Sequence, residues 1–393
     1  PFLVDSVAAT IASKDLITHR LLHPVVCVER DEQGCLEKVE PICDEIGRRE
    51  SIIYMEIDRA DARERRELVA ELHRVLADVR AATGDWEKLQ ARMRADAAEM
   101  NDEEGAALLN WFADGAMTLL GHEIQCSEEA GDAPLGVLRL PGPPLWTENA
   151  CSSALGYFRD GNPAPLIIKA DRISTVHRRV PFDLVIVPIT RGKKLSGLSV
   201  HAGLWTSQAL TAPAEDVPLL RRRLAELEEA FGFDPKGHAG KALRHSVVSL
   251  PRDLLVGLRP DIVKQLVMTA MSLADRPRPT LMLLQSILTR HIFAFVWLPR
   301  DELSTQRRLA IGRMVEEAAE GRISNWSVEL GEGDLALIRY MLDVRDGAPV
   351  PDAAALDQRL VEMVRGWAPS VEEALGDMVG AARATRLALG YLD

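Results

Sequence analysis

Between residues 290 and 368 the hydrophobic period alternates between that of a strand and that of a helix, and few folds accept the order in which it does so. Ile292-Phe-Ala-Phe-Val-Trp-Leu298 is a continuous apolar run, as in a strand buried on both faces. Ser304 or Thr305 can cap a helix over 306–320, because a hydroxyl accepts a backbone N–H left free at a helix start. Residues 323–330 read as a strand, 331–334 as a turn, 335–344 as a strand and 351–367 as a second helix. The order β-α-β-β-α is that of the split βαβ, ferredoxin-like arrangement.

The same order recurs in shortened form over residues 1–83. Leu3, Val4, Val7 and Ile11 have helical spacing. Residues 21–30 and 35–42 read as two arms of a hairpin across the turn Asp31-Glu-Gln-Gly34, and 50–58 alternates like a half-buried strand. Residues 60–83 form a long amphipathic helix with Leu68, Leu72, Val75, Leu76 and Val79 on one face. The chain opens at Pro1 in mid-pattern, so a first strand is expected upstream of it.

Between these modules the texture changes. Residues 86–120 are mostly helical, with Leu108, Leu109, Phe112 and Leu119 on the apolar face. Short strand-like runs follow at 119–126, 135–140, 166–170, 182–189 and 195–204, punctuated by Pro141-Gly-Pro-Pro144 and Gly161-Asn-Pro-Ala-Pro165. A helix at 217–231 closes this part, and 239–275 is helical with breaks at Pro251 and Pro260. The expected fold class is α+β: ACT-like, ferredoxin-like modules and a β-rich central module joined by helical linkers. Its segments are 1–84 (ACT-like), 85–118 (helical linker), 119–232 (β-rich), 233–288 (helical), 289–368 (ACT-like) and 369–393 (the helical start of a next region).

Composition excludes some functions. The 393 residues carry a formal charge of −12, from 59 acidic and 47 basic side chains. Such a field does not attract nucleic acid or anionic lipid, so neither is expected as a partner. No apolar run is long enough to span a bilayer. Five cysteines without CxxC spacing fit a reducing, cytoplasmic setting, although Cys27, Cys35 and Cys43 fall eight apart and leave a metal or redox reading open.

Few motifs carry chemistry. Gly331-Glu-Gly333-Asp-Leu-Ala336 matches a relaxed dinucleotide fingerprint, but a strand follows where a helix N-terminus is needed for a pyrophosphate. Gly240-Lys241-Ala242 lacks both the first glycine and the hydroxyl of a phosphate loop. His19, His23, His238 and His245 stand alone and read as capping or packing residues. No HExxH, GxSxG or Cys-His pair is present, so no catalytic, cofactor-binding or metal-binding residue is assigned.

The exception is Lys169-Ala-Asp-Arg172-Ile-Ser-Thr-Val-His177-Arg178-Arg179, which sets five basic or titratable side chains in eleven residues between strand-like flanks. Lys169 with Asp183 could do chemistry. Lys169, Arg172, His177 and Arg178 could surround a carboxylate or phosphate. The same groups could pair with an acidic surface of another domain or subunit, which needs no ligand and suits the net charge. Arg300, Asp301 and Ser304, at the strand-to-helix junction of the last module, are a second candidate for effector contact or for plain helix capping.

Several short stretches resemble one family in collinear order. They are Pro1-Phe-Leu-Val-Asp-Ser6, His23-Pro24, Lys169 with Ser174-Thr-Val-His-Arg178 and Asp183, Gly203-Leu-Trp-Thr-Ser207, Pro218-Leu-Leu-Arg-Arg222, His238 with Lys241-Ala-Leu243, Pro251-Arg-Asp253, and Pro299-Arg-Asp301 with Ser304-Thr305. Together they resemble the N-terminal region of the large bacterial NAD-specific glutamate dehydrogenases. The resemblance implies ACT modules in a much longer polypeptide, whose dehydrogenase domain lies downstream of these residues. It implies NAD as cofactor of the parent enzyme and none in this segment. It implies a homo-oligomer in the cytoplasm, a downstream catalytic domain as partner, and an amino acid as effector.

Overall fold

The computed structural model describes residues 2–40, 48–127, 131–192, 194–288, 290–330, 333–345 and 348–365, with short patches between 375 and 387. The chain divides into two compact units. The first comprises Pro1–Thr147, Phe158–Pro165 and Ala170–Thr206; the second comprises Glu148–Tyr157, Leu166–Lys169 and Ser207–Asp393.

The first unit opens with helix α1 (Leu3–Ala12) and strands β1 (Thr18–Leu22), β2 (Val25–Arg30), β3 (Leu36–Glu40), β4 (Arg48–Ser51) and β5 (Tyr54–Ile57). The two strands expected at 21–30 and 50–58 are each broken in the middle. β1 pairs with β5, while β2 sits between β3 and β4 in a separate sheet. Pro24 stands at the first break and has no N–H to give a ladder. Its carbonyl accepts from the Ile52 N–H at the second break (3.0 Å). Helix α2 (Ala62–Gly84) follows, started by a reciprocal capping box between Asp61 and Glu64. Its Leu68 packs with Val7 and Ile11 of α1, and Leu72, Leu76, Met55 and Ile57 flank them.

Helices α3 (Trp86–Glu99) and α4 (Glu103–Trp111) lead to β6 (Met117–Gln125), and Gly115 turns the chain between them at φ 112°. The strand expected at 135–140 is only two residues long (β7, Leu135–Gly136) before a single tight helical turn. Gly136 has φ 62°, and a Cβ there would meet the Leu120 carbonyl oxygen at 2.1 Å, so no other residue fits. Helix α5 (Glu148–Arg159) interrupts a stretch whose sequence reads as β-rich. Strands β8 (Leu166–Ile173), β9 (Pro181–Arg191) and β10 (Lys194–Trp205) complete a five-stranded sheet in the order β7-β6-β10-β9-β8.

In the second unit, after Glu148–Tyr157 of α5 and Leu166–Lys169 of β8, come the helices α6 (Ser207–Thr211), α7 (Leu220–Phe231), α8 (His238–Val248), α9 (Arg252–Gly257) and α10 (Pro260–Asp275). An antiparallel sheet follows, built from β11 (Thr280–Gln285), β12 (His291–Pro299), β13 (Arg322–Leu330) and β14 (Leu335–Asp343) in the order β11-β12-β14-β13. Helix α11 (Thr305–Ala319) joins β12 to β13, and α12 (Ala353–Val364) follows β14. The last three strands and α11 are the expected split βαβ. The position of the closing edge strand is filled by β11, which comes before the first strand in sequence rather than after α12. The expectation of helix through residue 288 is therefore corrected at Thr280–Gln285. Its run of four apolar residues, Leu281-Met-Leu-Leu284, does not by itself distinguish strand from buried helix. The core beneath this sheet holds Ile292, Ala294, Val296, Leu298, Ile338, Tyr340 and Leu342 against Ile311, Met314 and Val315 of α11 and Leu356 and Leu360 of α12. Each fully buried large aliphatic side chain is worth about 1.5–3 kcal/mol, so this layer stabilises the module far more than any surface pair.

Cys27, Cys126 and Cys151 stand in disulfides and Cys35 is free and exposed, so the reading of unlinked thiols is corrected for those three. Cys43, the 331–332 half of the glycine motif and most of 369–393 lie outside the described residues.

Candidate functional site

The basic run does not form one cluster. β8 carries Lys169 at the limit of the second unit and Arg172 in the first. Lys169 Nζ lies 2.7 Å from Oδ2 of Asp253, in the first turn of α9. Arg339 of β14 donates to the other oxygen of that carboxylate at 3.3 Å. Asp253 is 5% exposed. Burial pushes its carboxyl up, but the Lys169 ammonium and the Arg339 guanidinium more than reverse this and hold it well below the usual carboxylate range. Glu329, on the neighbouring β13, goes the other way. Burial raises it, and Asp253 adds to the rise against the pull of Arg339 and Arg252.

The rest of the run binds groups of the first unit. The guanidinium of Arg172 sits 5.9 Å from the Phe182 ring centroid. Gly142 makes room for it, since a Cβ there would lie 2.7 Å from that guanidinium. Ser174 Oγ accepts the N–H of Val176, and Thr175 Oγ1 donates to Asp78 at 2.6 Å. His177 has φ 68°; its backbone N–H donates to Ser6 Oγ (2.9 Å), and its ring nitrogen lies 3.2 Å from Asp5. The Phe2 ring lies 5.4 Å from that of His177. Arg178 donates to the carbonyl of Trp205 (2.6 Å) and Arg179 to Glu71 (3.3 Å). Asp183 is buried on β9, opposite Gly203 of β10. Stretches far apart in sequence thus meet: residues 2–6, 174–178 and 203–205 at one joint, Lys169 and Asp253 at another.

Arg300 and Asp301 lie in a single tight turn after β12, where the Arg300 N–H donates to the Asp334 carbonyl (2.9 Å). Ser304 caps α11 by accepting the Arg307 N–H at 3.1 Å. Its hydroxyl is engaged by the helix start it precedes.

A group of polar residues that the sequence reading passed over is buried in the first unit. Strand alternation puts Ser199 and His201 of β10 on one face, and the antiparallel register sets His122 of β6 directly opposite His201. Asp96 of α3 meets these side chains. Its Oδ2 accepts from Ser199 Oγ at 2.5 Å and lies 2.6 Å from His201 Nε2. Ser199 Oγ is also 2.8 Å from His122 Nε2. Arg92, one turn earlier on α3, donates to Asp96 Oδ1 at 2.6 Å. Exposure is 3% for Asp96, 1% for His122 and 0% for His201. Burial drives the His122 imidazole down to about 3, so it is neutral at pH 7, and a charge on His201 adds to the fall. Burial raises Asp96, but the hydrogen bonds and charges of His201, Ser199 and Arg92 outweigh it and keep the carboxylate ionised. The signal available in the sequence was polar residues on the inward face of two strands otherwise apolar, at Gly121-His122 and Ser199-Val-His201.

A cavity of about 610 Å³ is bordered by Asp96 and also by Glu99, Asn101, Arg159, Asn162 and Lys194. It is large enough for a small polar molecule.

Comparison with known proteins places three segments. Residues 1–72 match the ACT1 domain of glutamate dehydrogenase, 217–276 its helical motif 1 and 280–368 its ACT2 domain. The ACT2 match begins at β11, the strand that closes the four-stranded sheet. Over 93% of the chain it is 27% identical to an NAD-specific glutamate dehydrogenase of Halomonas elongata, covering 24% of that protein. One from Pseudomonas aeruginosa is 27% identical over 98% of the chain and 25% of its own length. One from Mycobacterium tuberculosis is 23% identical over 99% of the chain and 25% of its own length. The chain therefore spans about a quarter of the length of the curated relatives it matches. Among the described residues no helix is long and apolar enough to cross a membrane.

Proposed function

We propose, for a chain that belongs to the ACT-containing region of the large NAD-specific glutamate dehydrogenases, that it regulates and assembles such an enzyme rather than performing its chemistry. The parent reaction is then L-glutamate, NAD⁺ and water giving 2-oxoglutarate, ammonium and NADH. Nicotinamide chemistry belongs to a catalytic domain outside these residues, with which this region communicates as a partner, within a cytoplasmic homo-oligomer. The observation that carries this reading is the collinear succession of ACT1, helical motif 1 and ACT2 in a chain a quarter as long as its relatives.

Regulation requires a coupling energy between an effector site and the catalytic site, typically ~1–3 kcal/mol. The strand-to-helix turn at Arg300, Asp301 and Ser304 is the effector surface in this reading. Calorimetry of the chain with a panel of amino acids tests it. Heat from one amino acid, lost in Arg300→Ala, supports a sensor; silence across the panel supports a scaffold that only holds subunits together. One observation favours the scaffold for the basic run. Lys169, Thr175, His177, Arg178 and Arg179 each already hold a partner within the chain.

A further inference from the structure

We propose that Asp96, His122 and His201 form a binding site for a divalent transition metal ion, with zinc(II) the best fit. One ligand atom from each residue lies within 4.8 Å of the others, and all three residues are buried. Four donors at tetrahedral zinc lie ~3.3 Å apart, given zinc–nitrogen bonds of about 2.0–2.1 Å. Small side-chain rotations therefore bring these three to bonding distance without moving the strands or α3.

The donor set selects the metal. Two imidazoles and one carboxylate suit borderline ions such as zinc, whereas magnesium and calcium take oxygen ligands almost throughout. The surroundings are those of a metal ligand shell. Arg92 holds Asp96 Oδ1 (2.6 Å) and leaves Oδ2 to face the imidazoles. Ser199 ties Asp96 to His122 through one hydroxyl. Such outer partners orient ligands. His201 Nε2 faces Asp96, while its Nδ1 is buried with no hydrogen-bond partner among the described residues. A buried polar atom left so asks for an explanation.

Of the three ligands Asp96 borders the 610 Å³ cavity, so in this proposal a fourth ligand, a water or a small molecule from solution, reaches the ion past that carboxylate. With three protein ligands and one open position, the site resembles exchangeable zinc centres more than closed structural ones. In that case the ion ties α3 to β6 and β10 and can present a small anion-binding position to the cavity.

The test is zinc(II) titration of the metal-stripped 393-residue chain, read by calorimetry and by metal analysis after dialysis, in a Cys35→Ser background that removes the exposed thiol. The expected result is one tightly held equivalent, with a rise in Tm on adding zinc. Cobalt(II) in its place should give the visible absorption of a four-coordinate site. His122→Asn and His201→Asn should each weaken zinc binding at least about 100-fold, because each removes a ligand, whereas loss of an outer partner costs 10–100-fold. X-ray absorption of the zinc-loaded chain reads the ligands without relying on a variant that must fold, and should show imidazole and oxygen scatterers only. The proposal is overturned by no stoichiometric uptake, by uptake unchanged in folded His201→Asn, or by thiolate in the absorption spectrum.

Discussion

Asp96 and Asp253 are both almost fully buried, and the two units neutralise them differently. Asp253 sits between two permanent cations, Lys169 at 2.7 Å and Arg339 at 3.3 Å. Its partners carry more charge than it does, and burial raises the nearby Glu329 carboxyl. Asp96 has one permanent cation, Arg92, and otherwise imidazoles and a hydroxyl whose donor and acceptor roles can be exchanged. The first arrangement resembles a fixed strut; the second retains ligand capacity. A buried carboxylate therefore indicates a site only when its partners can give up a proton or a lone pair.

The largest effect should come from breaking the strut. Asp253→Ala removes the buried anion between the partly buried Lys169 and Arg339 and should cost about 3–5 kcal/mol in urea unfolding. Asp96→Ala should cost less, about 1–3 kcal/mol, because the cation it leaves behind, Arg92, is about a quarter exposed and can meet solvent. Equal costs for the two would break the comparison.

The pH dependence sharpens it. His122 and His291 are held down to about 3 and about 4 by burial, below the ordinary 6.5. An unfolded chain binds a proton at each of these residues in the interval where the folded chain does not. Stability is therefore complete above 6.5 and falls as pH drops towards those values, by at most about 1.4 kcal/mol per pH unit per group. Asp96 and Asp253 have depressed folded values, so their contributions persist through this window and disappear only at lower pH. Unfolding free energies measured from pH 7 to pH 4 should lose part of their slope in His122→Asn, and a separate part in His291→Asn. An unchanged slope in both variants contradicts the burial argument. The smallest effect is that of Ser304→Ala, which removes one helix cap and should lower stability by about 1 kcal/mol in the same unfolding assay.

Where one element was specified by one period, the sequence was readable. The helix at 62–84 and the strands at 291–299 and 335–343 lie within a few residues of their expected places, because each buries a continuous apolar face. Readability failed where a second influence acted. Pro24 broke a strand that periodicity ran through, Gly136 ended β7 after two residues, and Thr280–Gln285 was short enough to pass for helix. The candidate residues at 169–183 are conspicuous for their charge, yet they have partners as much as 172 residues away, at a distance no local pattern encodes. His122 and His201 were overlooked for the opposite reason. Each is a lone histidine on its strand, and only the register that sets them opposite one another makes them a pair.

We propose that these residues control glutamate oxidation and do not perform it. Glutamate-dependent NADH formation by the purified 393-residue chain, with zinc supplied, tests this directly. The account predicts none above the rate without protein. NADH formation that disappears in Asp96→Asn would contradict it and make the buried aspartate–histidine cluster an active site.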